Sequence, residues 1–237
     1  LVSFAVDGET FGHHHKFAEM ALARAVWRLR ADPAVRVENY ASVLARMPAR
    51  TEAELVAPSS WSCPHGIERW RSDCGCRTIP GTSQAWRRPL RAALDWLARM
   101  LDARIEGMGA ELLRDPAVAR EAYGSVAALS TDARRAFAIE HLRTDADLGR
   151  ALRLLDAVRS RFGMFGSCAW FFDDAAGLET ELMLRLAAHA LDLAGDEELE
   201  RRFVERLTPA KSNYAVEGDA GRMYRARIRA VRTGRDP

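Results

Sequence analysis

The sequence is poor in lysine: only two of its 35 basic residues are lysine, and the rest are arginine. Chemistry does not require that bias, which reads as a GC-rich coding preference. An excess of either charge is also missing. Lys+Arg at 35 against Asp+Glu at 33 gives a formal charge of +2, too balanced for a surface that binds nucleic acid or an anionic membrane. No apolar run approaches the ~20 residues needed to cross a bilayer, and no stretch resembles a signal peptide. These absences lead to the expectation of a cytoplasmic protein with neither membrane nor nucleic acid as a partner. Internal repeats and low-complexity segments are likewise missing. Four cysteines in 237 residues are expected to be free thiols, because disulfides are uncommon in a reducing compartment. No initiator Met stands at Leu1, which begins inside an apparent strand, so the natural start is expected to lie elsewhere.

What is present begins with an unusual opening. Leu1 to Val6 is apolar except for Ser3 and reads as a short buried strand. Within the next nine residues come Asp7, Glu9, His13, His14 and His15, with Gly8 and Gly12 permitting tight turns. A carboxylate at the C-terminal end of a strand, ahead of a helix, lines the ligand crevice of α/β proteins and barrels. The plainer alternative makes Asp7 and Thr10 helix caps and the histidines a surface cluster. A third reading takes Asp7, His13 and His14 as metal ligands.

The second concentration of chemistry is the loop Ser59 to Trp86. Cys63, His65, Cys74 and Cys76 bring three thiols and an imidazole within fourteen residues, a set able to close a tetrahedral zinc site. The gaps of one, eight and one residue depart from the usual C-x2-4-C pairs, so free buried thiols are the competing reading. No cofactor is expected apart from this zinc alternative. Trp61, Trp70 and Trp86 offer flat apolar faces, and His65, Arg69, Arg71, Asp73 and Gln84 offer hydrogen bonds, a combination found in binding pockets. The competing role for the tryptophans is to plug a seam in the packing.

From Trp86 onward the apolar spacing is helical. Helices are expected at Pro89 to Ile105, Pro116 to Leu129 with Asp115 as cap, Thr131 to Leu142, Asp145 to Phe162, Leu178 to Ala194, Glu197 to Leu207 and Arg222 to Arg232. Earlier, Phe17 to Arg30 and Asn39 to Met47 read as helices, and Val35 to Val37 and Glu54 to Val56 as short strands. His141 is read as a surface or capping residue and His189 as a core histidine. A third candidate site interrupts the bundle at Met164 to Thr180, where Ser167-Cys168-Ala169-Trp170-Phe171-Phe172-Asp173-Asp174 packs aromatics beside two acids. Capping is the competing reading for Asp173 and Asp174.

Asp7-Gly8-Glu9-Thr10-Phe11-Gly12-His13-His14 resembles the Asp-(Gly/Thr)-Glu-x-Phe-Gly-His motif of glycoside hydrolase family 57, a family of retaining enzymes acting on α-glucans. Ser60 to Gly66, Arg69 to Cys76, Ser167 to Asp174 with Glu179-Thr180, and Ala210 to Asn213 resemble the branch whose C-terminal half is catalogued as domain of unknown function 3536. The resemblance implies the end of an incomplete (β/α)7 barrel over residues 1–85, followed by a helical domain over residues 86–237. The fold class so implied is α+β, mainly α. It also implies a carbohydrate-active enzyme, hydrolysing or transglycosylating, with an oligo- or polysaccharide as partner and Asp7 as general acid/base. Glu9, His13, His14, Trp61, His65, Arg69, Trp70, Trp170 and Asp173 would then contact sugar. The family's nucleophilic Glu precedes the Asp motif, so either an N-terminal barrel segment of the same protein is the implied partner, or the chain is a degenerate relative that does no hydrolysis. In family members the last motif reads Ser-Ser-Asp-Trp, and here Ala169 stands in place of its Asp. Two rivals differ in class: a metal-binding protein or metal-dependent hydrolase, and a glucan-binding module without catalysis.

Overall fold

The structure, a computed structural model, describes residues 1–60, 62–126 and 131–230. In chain order its helices are α1 (Ala18–Ala31), α2 (Tyr40–Arg46), α3 (Arg87–Leu112), α4 (Pro116–Val126), α5 (Thr131–His141), α6 (Leu148–Gly163), α7 (Leu178–Ala194), α8 (Glu197–Leu207) and α9 (Ala220–Met223), which runs on into a π turn at Tyr224–Arg229. Two 3-10 turns lie at Glu68–Trp70 and Cys168–Phe171.

The protein is all-α. The expected α+β class and barrel remnant are overturned, because among the described residues no β-strand forms and only isolated bridges such as Phe11 with His15 occur. Leu1 to Val6, Val35 to Val37 and Glu54 to Val56 are irregular instead. Short apolar runs carry no period that separates a strand from any other extended segment, and a strand exists only where a second backbone pairs with it. Here none does, and Leu1, Val2, Leu55 and Val56 are all more than four-fifths exposed.

The chain divides into two compact units, residues 1–56 and 57–237. The first holds α1 and α2. Asn39 caps α2 by accepting the Ser42 amide at 2.9 Å, and Asp32 and Pro33 follow α1 as expected from the sequence. None of its residues is buried, so these helices rest on local propensity and capping.

The second unit is organised by α3. Leu90, Leu94, Leu97 and Leu101 fall on one stripe and are at most 1% exposed, each contributing about 2 kcal/mol of burial. Pro89 lies in the first turn, where its missing amide costs no helical bond. The stripe packs with Met183, Leu184, Ala187 and Leu191 of α7 and with Leu199, Phe203 and Leu207 of α8. A second cluster gathers Leu112 and Leu113 with Tyr123, Phe137, Leu154 and Leu155 from α4, α5 and α6. Asp115, Asp147 and Asp196 cap α4, α6 and α8 by accepting first-turn amides at 2.7–3.1 Å. Arg161 of α6 reaches Asp102 of α3 through two hydrogen bonds of 2.8 and 2.6 Å.

Two histidine expectations are reversed. His141 is buried, its ring centroid 4.5 Å from that of Phe137, because the end of α5 is clasped to the end of α3 through Arg114 N–H to His141 O and Arg143 N–H to Leu112 O. His189 is exposed: its neighbours Ala187, Ala188, Ala190 and Leu191 face the core, which leaves the outer side of α7 to position 189.

Candidate functional site

Within residues 1–56 the Asp7 motif is a run of turns. The Thr10 amide donates to Asp7 O, His14 N–H to Glu9 O, His15 N–H to Thr10 O and Gly12 N–H to His15 O, at 3.0–3.1 Å. Gly12 takes a φ of 108°, a region that side chains with a Cβ rarely enter. Winding the backbone in this way turns Asp7, Glu9, His13 and His14 outward, all exposed, with the two imidazoles edge to face at 5.0 Å. Their ligand atoms do not gather into a metal-binding group.

The loop of residues 57–86 belongs to the second unit and gathers its chemistry more tightly. Trp61 lies outside the described residues. The 3-10 turn Glu68–Trp70 is fixed by Glu68, which accepts from Arg71 and from Ser72 Oγ at 2.6 Å. Gly75, at a φ of 79°, and the Asp73 carboxylate accepting its amide at 3.2 Å bend the backbone so that Cys74 and Cys76 face the same point. Cys63 Sγ lies 3.9 Å from Cys74 Sγ, 4.0 Å from Cys76 Sγ and 3.8 Å from His65 Nδ1; Cys76 Sγ is 3.6 Å from the same nitrogen. All four potential ligand atoms lie within 4.8 Å of one another. Burial opposes ionisation of Cys63, but hydrogen bonds with the backbone of His65 and Arg69 and with the His65 ring bring its thiol down to about 7. Burial, with the hydrogen bond and charge of Cys74, pushes Cys76 up to about 11. One thiol of the set is thus readily ionised while another holds its proton.

Below this cluster lies a knot of buried polar groups. Arg87, in the first turn of α3, has no exposed surface. Its Nη1 points at Cys74 Sγ (3.7 Å), and its Nη2 donates to Cys76 O (3.1 Å) and Trp170 O (2.9 Å). Asp173 accepts the amides of Thr78 and Ile79, the Thr78 hydroxyl and the Gln84 amide group. Burial raises its pKa, yet the Thr78 and Ile79 hydrogen bonds and the Arg87 charge outweigh this and hold it below the usual carboxylate range. Asp174 accepts from Ser212 Oγ at 2.8 Å and from the Asn213 amide at 2.6 Å, and the Asn213 side chain spans Ser83 and Asp173 O.

The site residues therefore separate into groups. His65 belongs to the thiol cluster. Arg69 donates to Ser62 O at 3.0 Å and lies 4.8 Å over the Phe171 ring, while Trp70 meets Phe171 edge to face at 5.8 Å. Trp170 is 1% exposed and stacks on Trp86 at 6.0 Å; both Asp173 oxygens are engaged. Gln84 is buried as well. Sequence reasoning passed over Arg87, Thr78 and Asn213. Arg87 had no signal, being one of two adjacent arginines at a helix start, whereas Asn213 was quoted within a motif without a role. A concavity of about 150 Å3 between α3, α6 and α7 is lined by Leu101, Arg104, Met108, Leu154 and Leu193 among others, and none of its lining belongs to this knot.

The knot contains Trp86, Arg87, Trp170, Asp173, Asp174 and Asn213, and these fall inside residues 83–235, which match the family model for the domain of unknown function DUF3536. The chain belongs to the DUF3536 family. The matched DUF3536 stretch takes in α3 to α9 and begins after both the thiol cluster and the Asp7 motif. No curated protein matches the chain, and no solved structure does. No helix among the described residues is long and apolar enough to cross a membrane.

Proposed function

We propose that this DUF3536 chain is part of a carbohydrate-active enzyme of the glycoside hydrolase family 57 type, acting on α-linked glucans with retention. The observation that carries this reading is the turn of residues 7–15, which presents Asp7, Glu9, His13 and His14 together and exposed, in the order of the family motif. Asp7 would protonate the departing glycosidic oxygen and then take the proton from an incoming water or sugar hydroxyl. His13 and His14 would hold sugar hydroxyls beside it. Retention also requires a nucleophilic carboxylate roughly 5 Å from the acid, and the family draws it from a segment ahead of the motif.

The test uses the polypeptide together with its natural upstream sequence. Release of reducing ends or transfer products from α-glucans is expected from the native protein, and Asp7→Asn is expected to lower kcat by about 10^2–10^4 with KM little changed. An Asp7→Asn protein as active as the native one would sink the proposal. Turnover absent from the native protein while glucan binding persists would leave the non-catalytic module as the better account.

A further inference from the structure

We infer that Cys63, His65, Cys74 and Cys76 form a closed, four-coordinate zinc site with a structural role. The distances carry the argument. Zinc bonds of about 2.3 Å to sulfur and about 2.0–2.1 Å to nitrogen, at tetrahedral angles, separate sulfur from sulfur by about 3.8 Å and sulfur from nitrogen by about 3.5–3.6 Å. The cluster shows 3.9 and 4.0 Å for two sulfur pairs, and 3.8 and 3.6 Å for two sulfur–nitrogen pairs. A disulfide would require about 2.05 Å between sulfurs, so the thiols are gathered without being bonded. Ordinary packing brings two cysteines together without difficulty; four donor atoms aimed at one point is what a metal demands.

Charge gives a second, independent reason. Arg87 is fully buried, and apart from Cys74 Sγ its hydrogen-bond acceptors are the neutral carbonyls of Cys76 and Trp170. A buried cation needs a counter-charge nearby. The charge of Asp173 acts on Arg87 from nearby, but the carboxylate's hydrogen bonds go to Thr78, Ile79 and Gln84, so among the groups bonded directly to the guanidinium only Cys74 can carry charge. Three thiolates around one Zn2+ carry a net charge of −1, placed against the Arg87 guanidinium through Cys74. Binding requires all three sulfurs as thiolates, so the thiol protons that remain are released to solvent, and it leaves His65 neutral, with Nδ1 on the metal and its proton on Nε2.

The site is structural because four protein ligands leave no position for water or substrate. Between Ala57 and Trp86 the only regular element among the described residues is the three-residue turn Glu68–Trp70, so little else stiffens the loop. A metal joining positions 63–65 to 74–76 closes it and fixes the carbonyl and thiolate that hold Arg87 against Trp170.

The chain, purified without chelator, is expected to carry one zinc per molecule by elemental analysis. Cobalt substituted for zinc should show the ligand-field bands of a tetrahedral ion and sulfur-to-cobalt charge transfer. Cys74→Ser and His65→Ala should lose stoichiometric metal, whereas Cys168→Ser, at the exposed cysteine outside the cluster, should keep it. His65→Cys supplies a fourth thiolate and should retain metal with stronger charge transfer, which guards against a variant that merely misfolds. A native chain that takes up no stoichiometric zinc on reconstitution, one that holds iron in its place, or a Cys74→Ser protein that still binds one zinc with an unchanged cobalt spectrum would overturn the inference. Metal content and Asp7-dependent turnover are separate readouts, so either can fail alone.

Discussion

Residues 1–56 and residues 57–237 use the same local devices, with amphipathic spacing, carboxylate or amide caps and a proline or glycine at helix ends, yet they differ completely in burial. Helix α1 carries Met20, Trp27 and Leu29, all more than 45% exposed, while Leu90, Leu94 and Leu97 on one stripe of α3 have no exposed surface. Periodicity and caps make a helix, but stability comes from the partner its apolar stripe meets. In the second unit α3 meets α7 and α8; in the first, no stripe meets a core.

The sharpest way to break that comparison is to remove matched apolar side chains. Leu94→Ala should cost about 2–5 kcal/mol in denaturant unfolding, whereas Trp27→Ala should change stability by less than about 0.5 kcal/mol. Equal effects would mean that α1 is as firmly packed as α3.

A smaller effect, about 1–3 kcal/mol, is expected from Asp173→Asn, which weakens the anchor of Thr78 and Ile79 and leaves buried donors poorly matched. Its pH dependence carries a sign. Because the carboxyl titrates lower in the fold than in the unfolded chain, its contribution is fully present above about pH 4 and is lost as pH falls through the depressed folded value. Native protein should therefore lose stability in that acid range more steeply than Asp173→Asn does. Parallel acid unfolding curves would contradict the assignment.

The smallest contrast concerns caps. Asp147→Ala at the start of α6 should lower stability by about 1 kcal/mol. Asn39→Ala removes the same kind of hydrogen bond from α2, yet should leave the unfolding of the second unit unmoved, as read by circular dichroism at increasing urea.

Much of the helical order was legible. The Leu178–Ala194 and Glu197–Leu207 spans coincide with α7 and α8, and Asp115 caps α4 as its place before Pro116 suggests. Strand assignments failed because short, mainly apolar runs such as Leu1 to Val6 look alike whether paired or solvated. Within the candidate sites, the four members of the thiol cluster could be named from residue type, but their convergence could not. Their spacing departs from the usual zinc pairs, and the φ of Gly75 that turns Cys74 and Cys76 to one side is a property of the folded backbone. Trp170 and Asp173 looked like sugar contacts, and burial shows them joined to Trp86 and to the Thr78–Gln84 segment.

By itself the sequence determined that residues 86–126 and 131–230 are mostly helical and where α7 and α8 begin and end, because caps, prolines and the 3.6-residue period act over a few neighbours; α3 runs on to Leu112, seven residues past the expected Ile105. Tertiary structure alone decided which stripes become core, and that Asp173 meets Thr78 across 95 positions and Arg87 meets Trp170 across 83. Contacts between residues so far apart depend on how helices stack, and no local pattern in the chain encodes that.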